Sequence, residues 1–339
     1  MPPACACRYT HTDTWPSMKI GILPPGRWSI IALAVSMVVA EAVAQTFPGK
    51  PLRIVTAQAG GGTDFVSRLV AQGLTDALKQ PAVVDNRGGN VSVAADIVAK
   101  SPPDGHTLLV YAATFWVAPL LQTVPYDPVR DFAPVTLATT APNMLVVHPS
   151  LPVKSVKDLI ALAKARPATL NYGGSTSGST THLAVELFKA LAGVDLVRVP
   201  YKGQGSMFTA LMAGEVQLTI TSGAALLPHV KAGKMRALAV TGARPSAMFP
   251  GFPTVASTLP GYESETIFAV FVPAATPAAI IGQLQQEIAR VLNKPEVKER
   301  CFTAGNEVVA STPQQLVTVM KADMARMGKV IKDAGIRGE

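Results

Sequence analysis

From residue 52 onward, short β-branched runs alternate with stretches whose apolar residues recur every three or four positions. Leu52 to Thr56 reads as a buried strand, and Val66, Leu69, Val70 and Leu74 then lie on one face of a helix from Thr63 to Leu78. Ala82 to Val84 predicts a strand, and Val93 to Lys100 a helix that stops before the Pro102-Pro103-Asp104-Gly105 turn. Thr107 to Tyr111 predicts a third strand. Such a rhythm implies an α/β fold with a mostly parallel sheet flanked by helices. The apolar run Asn143 to His148 is where the chain is expected to cross into a second lobe. That lobe repeats the rhythm, with strands at Leu170 to Tyr172, Val194 to Pro200, Val216 to Thr221 and Arg236 to Val240. Its helices open at Ser155-Val-Lys-Asp158, after the 173–182 loop, at Ser206 and at Leu226. The Pro- and Gly-rich stretch from Gly251 to Tyr262 reads as the return. Phe268 to Val272 is then a strand of the first lobe, Thr276-Pro277 opens a helix to Leu292, and Thr312-Pro-Gln-Gln315 opens a last helix at the surface.

Three junctions in this pattern carry candidate chemistry. Gly60, Gly61 and Gly62 lie between the first strand and the first helix, where they allow a sharp bend and a close approach to a ligand. Thr63 or Asp64 is placed to cap the helix. The free N–H groups and positive dipole end at a helix start suit an anion. A phosphate loop would need Gly-Lys-Ser/Thr where Gly-Thr-Asp stands, and a dinucleotide fingerprint would need glycine at Phe65. A carboxylate is the remaining anion; the alternative is a tight turn in which Asp64 only caps. Ala112-Ala113-Thr114-Phe115 reads as a second ligand-facing loop. Gly173-Gly-Ser-Thr-Ser-Gly-Ser-Thr-Thr-His182 repeats the strand–loop–helix logic with many hydroxyls, or is a flexible linker. Thr221-Ser222-Gly223 is a third polar loop.

The first 44 residues read as outside the fold. Met18, Lys19 and Arg27 give a basic start, Trp28 to Val39 a short apolar run, and Ala42-Val43-Ala44 a small-residue cleavage site before Gln45. The run is shorter than the ~20 residues a spanning helix needs, so secretion is expected, with a mature chain from about Gln45 and translation starting at Met1 or Met18. The net charge of +8 favours anions mildly, and no basic cluster interleaved with aromatics suggests nucleic acid. Of three cysteines, only Cys301 lies beyond the leader, in an apolar helical run that marks a core residue. His106, His148, His182 and His229 are scattered without ligand spacing, so no metal is expected.

The chain resembles the periplasmic solute receptors of tripartite tricarboxylate transporters, the Bug or TctC-like receptors. The resemblance runs from about Phe47 to Ile336. It rests on Gly60-Gly-Gly-Thr-Asp64, Asn86-Arg87, Pro103-Asp-Gly-His-Thr-Leu108, Pro125-Tyr-Asp-Pro128, Asp131-Phe-Ala-Pro134, Pro142-Asn-Met-Leu-Val146, Val199-Pro-Tyr-Lys-Gly203, Pro228-His229, Leu238-Ala-Val-Thr241 and Pro253-Thr-Val255. It implies a two-lobed, venus-flytrap periplasmic binding fold, without catalysis or cofactor, that closes on a small carboxylic acid. Residues 45–144 and 253–339 would form one lobe and residues 145–252 the other. The implied grips are Gly61, Gly62, Thr63 and Asp64 with Ala57, Thr114 and Phe115; then Ser175, Thr176, Ser177 and Thr180; then Thr221 and Ser222. The implied partners are the membrane permease subunits, served by a monomeric receptor. A sensor kinase as the partner is the alternative. A secreted hydrolase using Ser175 or Ser177 with His182 is disfavoured by the lack of a G-x-S-x-G elbow. Many members carry Pro-Phe at the position of Thr56-Ala57, and Gly88-Gly-Asn-Val-Ser92 also departs from the family pattern. Thr221 replaces a common aspartate that would receive an amine, which points to a ligand without an ammonium group.

Overall fold

A computed structural model describes residues 47–88, 91–174, 179–201 and 203–337. The strands are β1 (Leu52–Thr56), β2 (Ala82–Asn86), β3 (Thr107–Ala112), β4 (Phe132–Val147), β5 (Asn171–Gly174), β6 (Val197–Pro200), β7 (Leu218–Ser222), β8 (Arg236–Val240), β9 (Glu265–Pro273) and β10 (Glu307–Val308). The helices are α1 (Gly62–Leu78), α2 (Val91–Ala99), α3 (Thr114–Leu121), α4 (Val156–Ala165), α5 (Thr180–Ala192), α6 (Gln204–Ala213), α7 (Gly223–Lys231), α8 (Ala278–Leu292), α9 (Pro295–Thr303) and α10 (Pro313–Asp333).

The strands lie in the order β2-β1-β3-β9-β4-β7-β5-β6, with β8 and β10 also paired to β4. The sheets are mixed rather than mostly parallel. β1 runs parallel to β2 and β3, and β5 parallel to β6 and β7, as crossover helices dictate. β9 is antiparallel to β3 and β4, and β7 and β8 are antiparallel to β4. The reason is that β4 leaves the first set of strands and β9 returns to it, so both run against the βαβ strands beside them.

β4 serves both halves. From Phe132 to Pro142 it pairs with β9, and from Asn143 onward with β7. Its 16 residues exceed the expected run because Pro134 and Pro142 disguise a strand. Pro134 borders a bulge and Pro142 stands where the partner changes, two places where a sheet tolerates a missing N–H. The crossing is tied to the return segment. Asn143 N–H donates to Thr241 Oγ1 (3.1 Å), Thr241 N–H to the Asn143 carbonyl (3.0 Å), and Asn143 Nδ2 to the Ser264 carbonyl (3.0 Å).

The core has three parts. One lies on a face of the first strand set, around Ile54, Val66, Leu69, Val270 and Leu284. Another lies on a face of the second set, around Met144, Phe208, Leu211 and Leu226. The third is continuous across both sets, from Phe115 and Phe271 to Tyr172, Leu187 and Phe188, and α10 closes it. The last helix is therefore not merely a surface element. It buries Leu316, Met320, Met327, Val330 and Ile331 and packs on β4, α3 and α5. Residues spaced three and four apart give that stripe, and Asp323 is tolerated within it because Trp116 Nε1 donates to its carboxylate (2.8 Å).

The expected loop at Ala112 to Phe115 is instead the entry to α3, which contains Pro119. An interior proline leaves the carbonyl four residues earlier without its helical partner. Here that carbonyl is Phe115, and Tyr126 Oη donates to it at 2.7 Å. The helix missed in the sequence is thus completed by a side chain that only the fold brings near. The helical run expected around Cys301 is α9, and Cys301 is fully buried and free, with its thiol pKa pushed up by burial.

Candidate functional site

Among the helices that follow strands are α1 after β1, α3 after β3, α5 after β5 and α7 after β7. A helix start leaves N–H groups without intrahelical partners, and open α/β sheets bind ligands beyond the carboxyl ends of their strands.

At the first junction the chain turns through Gly60, whose φ of 87° is a left-handed conformation that glycine adopts without strain. Gly61 is the N-cap, and no side chain caps the helix. Neither Thr63 nor Asp64 takes that role. The Asp64 carboxylate turns back on the loop, accepting from Gly60 N–H (3.0 Å), Arg68 Nε (3.0 Å) and Asn86 Nδ2 (2.9 Å). Asn86 Nδ2 also donates to the Ala57 carbonyl (2.9 Å), so one buried acid and one amide fix the shape of the turn. Gly61 and Gly62 remain exposed and Thr63 half-buried, at a helix start whose first N–H groups have no intrahelical partner. Gly62 also rests on Phe268: an added Cβ would lie 2.8 Å from its ring.

Burial alone would push the Asp64 carboxyl up, but hydrogen bonds from Arg68, Gly60 and Asn86 outweigh it and leave its pKa below the ordinary 3.8. A folded-state pKa below the unfolded one means stability that is present above the unfolded value and lost as pH falls through the folded one. Wild-type protein should therefore lose more urea resistance than Asp64→Asn between about pH 5 and about pH 2.5. Equal losses in paired unfolding curves would show that the clamp is not ionic.

A narrow slot opens between the second and third junctions. It is lined by Thr114 and Val117 at the start of α3, Thr180 and Leu183 at the start of α5, Glu265 on β9 and Asp323 on α10. Thr114 and Thr180, expected in separate grips, thus meet across one space. Burial pushes the Glu265 carboxyl up to about 7, helped by the charges of Glu263 and Glu307 and opposed by a hydrogen bond with Thr140.

The other expected residues divide. Phe115 is not in a loop facing a ligand. Its ring is fully buried against Tyr126, Phe132 and Phe271, because α3 turns that side of the chain into the core. Thr221 is also buried, and its hydroxyl is taken by Gln204 Nε2 (3.0 Å) and Thr181 Oγ1 (3.4 Å). Ser222 is half-buried at the N-cap of α7 with no side-chain cap of its own. Ala57 is half-buried beside the glycine turn. Ser175, Thr176 and Ser177 lie outside the described residues. His182 is buried and faces Glu186 at 3.9 Å. Sequence reasoning missed Glu265 and Asp323, which only tertiary packing brings to this wall, and Gln204, which binds the Thr221 hydroxyl.

Two α/β halves sharing a long strand, with helix starts converging between them, define a two-lobed periplasmic binding protein. Residues 66–336 match the family described as tripartite tricarboxylate transporter family receptor, TctC, and the chain belongs to that family. It is 34% identical over 313 residues to protein BugT of Bordetella pertussis, covering 91% of this chain and 96% of that one. Among solved structures it is similar to R. palustris Rpa4515 with adipate, at 39% identity and a TM-score of 0.71, covering 86% of this chain and 100% of that one. It is also similar to MatC (Rpa3494) from Rhodopseudomonas palustris with bound malate, at 28% identity and a TM-score of 0.67, covering 84% of this chain and 100% of that one. Receptors of this family are periplasmic solute-binding proteins. No helix among the described residues is long and apolar enough to cross a membrane.

Proposed function

We propose that this receptor captures a small dicarboxylic acid between its lobes and delivers it to the membrane subunits of a tripartite tricarboxylate-type transporter. The observation that carries this is the meeting of Thr114 and Thr180, each at a helix start in a different half, across one slot. Hydroxyls and helix-start amides stabilise a carboxylate without a fixed cation. The uncapped glycine turn at Gly61, Gly62 and Thr63 offers a second set of donors for the other carboxylate. Adipate and malate, the acids held by two relatives, are both dicarboxylates.

The slot holds about 30 Å³, the scale of a single water, so entry of an acid requires the lobes to part. In this reading residues 45–144 and 253–339 move against residues 145–252, and the crossing at Asn143, Thr241 and Ser264 is the hinge. Export rests on the basic, apolar and small-residue succession that ends before Gln45.

Calorimetry against mono-, di- and tricarboxylates, adipate and malate included, tests the reading. A dicarboxylate should bind, and Thr180→Val or Thr114→Val should weaken it by about 1.5–3 kcal/mol, a charge-assisted hydrogen bond, which is about ten- to hundredfold in Kd. Equal affinity for both variants and wild type would place the ligand elsewhere.

A further inference from the structure

Glu265 stands out in the slot between the lobes. It is a carboxylate on the wall of a space that, in the function proposed above, receives another carboxylate. It opens β9 beside the point where β4 changes partners, opposite Pro142. Gly242, just after β8, leaves it room: a Cβ there would collide with Glu265 Oε1.

The charged groups packed around it do not neutralise it. Glu263 precedes it on the same segment, Glu307 comes from β10 and Asp323 from α10. Arg326 on α10 is committed to the other acids, donating to Glu263 (3.0 Å) and to Asp323 (2.8 Å). Ser246 Oγ donates to Glu307. On the return loop Arg244 is exposed, and on α5 His182 faces Glu186. The charges of Glu263 and Glu307 disfavour a further charge on the half-buried Glu265, with Asp323 on the same wall, and one arriving with the ligand disfavours it further.

We propose that Glu265 is a ligand-binding residue that acts in its acid form, donating its proton in a hydrogen bond to the captured carboxylate, so that capture takes up a proton. The inference rests on the carboxylate-receptor reading. The balance is simple: the acid enters as an anion, one proton comes from solvent to Glu265, and no covalent bond to carbon forms or breaks. Below the range in which Glu265 titrates, the proton is already in place and affinity is flat. Above it, each capture must draw the proton from solvent.

The test is calorimetry on the full exported chain with whichever of adipate and malate binds more tightly. Titrations are run at about pH 8 in two buffers of different ionisation enthalpy, and across about pH 6 to 8. The expected result is an uptake approaching one proton at pH 8 and an affinity about fivefold weaker at pH 8 than at pH 7. Glu265→Gln, whose amide donates at every pH, should abolish both the uptake and the slope and bind more tightly than wild type at pH 8. Buffer-independent enthalpy with flat affinity in the wild type overturns the proposal while leaving the receptor reading intact. So does a slope that survives in Glu265→Gln. Binding of no carboxylate removes the reading itself, and this inference with it. Should the variant fail to fold, the wild-type buffer pair decides alone.

Discussion

Phe115→Ala should destabilise the protein by about 3–5 kcal/mol, the range for truncating a fully buried phenylalanine. Its ring stacks on Tyr126 with centroids 5.2 Å apart, meets Phe132 at 4.8 Å and Phe271 at 4.9 Å, and is fully buried. Each such pair adds about 0.5–1.5 kcal/mol beyond its buried area. The neighbours cannot collapse freely into the space. Phe271 is held in β9 between β3 and β4, and Tyr126 is fixed by its hydrogen bond to the Phe115 carbonyl. Urea unfolding should show a lower midpoint with an unchanged slope. Where the variant is still folded, its dicarboxylate affinity should stay close to that of the wild type, because the ring does not reach the slot. A large loss of affinity with little loss of stability would return Phe115 to the ligand wall.

Asp323→Ala should cost about 3 kcal/mol, the low end for leaving a buried partner uncompensated. The Asp323 side chain is 9% exposed and takes both the Trp116 indole N–H and an Arg326 guanidinium N–H, at 2.8 Å each. Trp116 is fully buried, so its N–H would find no water. Arg326 is 22% exposed and keeps Glu263, which holds the loss below the upper limit. Asp323→Asn retains an acceptor for Trp116 and should recover most of the difference in the same unfolding assay. The pair joins α10 to α3 while α10 also packs on α5, so Asp323→Ala should also speed amide exchange at the start of both helices. A loss equal to that of Asp323→Asn would mean the indole bond contributes little.

The alternation of strands and helices was legible because each half-buried element repeats its apolar residues with its own period. Arg236 to Val240 was placed to the residue and the helix start after β1 within one residue for that reason. The glycine turn at 60–62 was legible as well, because a left-handed bend directly before a helix has few chemical solutions. The prolines misled. Pro134 and Pro142 concealed β4, and Pro119 concealed α3, since a local rule cannot see the bulge, the change of partner or the Tyr126 hydroxyl that accommodates them.

By itself, then, the sequence determined the α/β class, the family, the buried cysteine and the places where helix starts could meet an anion. Only the tertiary structure decided which side chains stand at that meeting. It withdrew Phe115 and Thr221 into the protein, turned Asp64 from a cap into a clamp, laid α10 across both halves and set Glu265 among other acids on the wall. The physical reason is that periodicity reports how each element faces its own sheet. The character of a site depends on contacts between groups far apart along the chain, and Trp116 with Asp323, or Glu265 with Glu307, leave no mark on any local pattern.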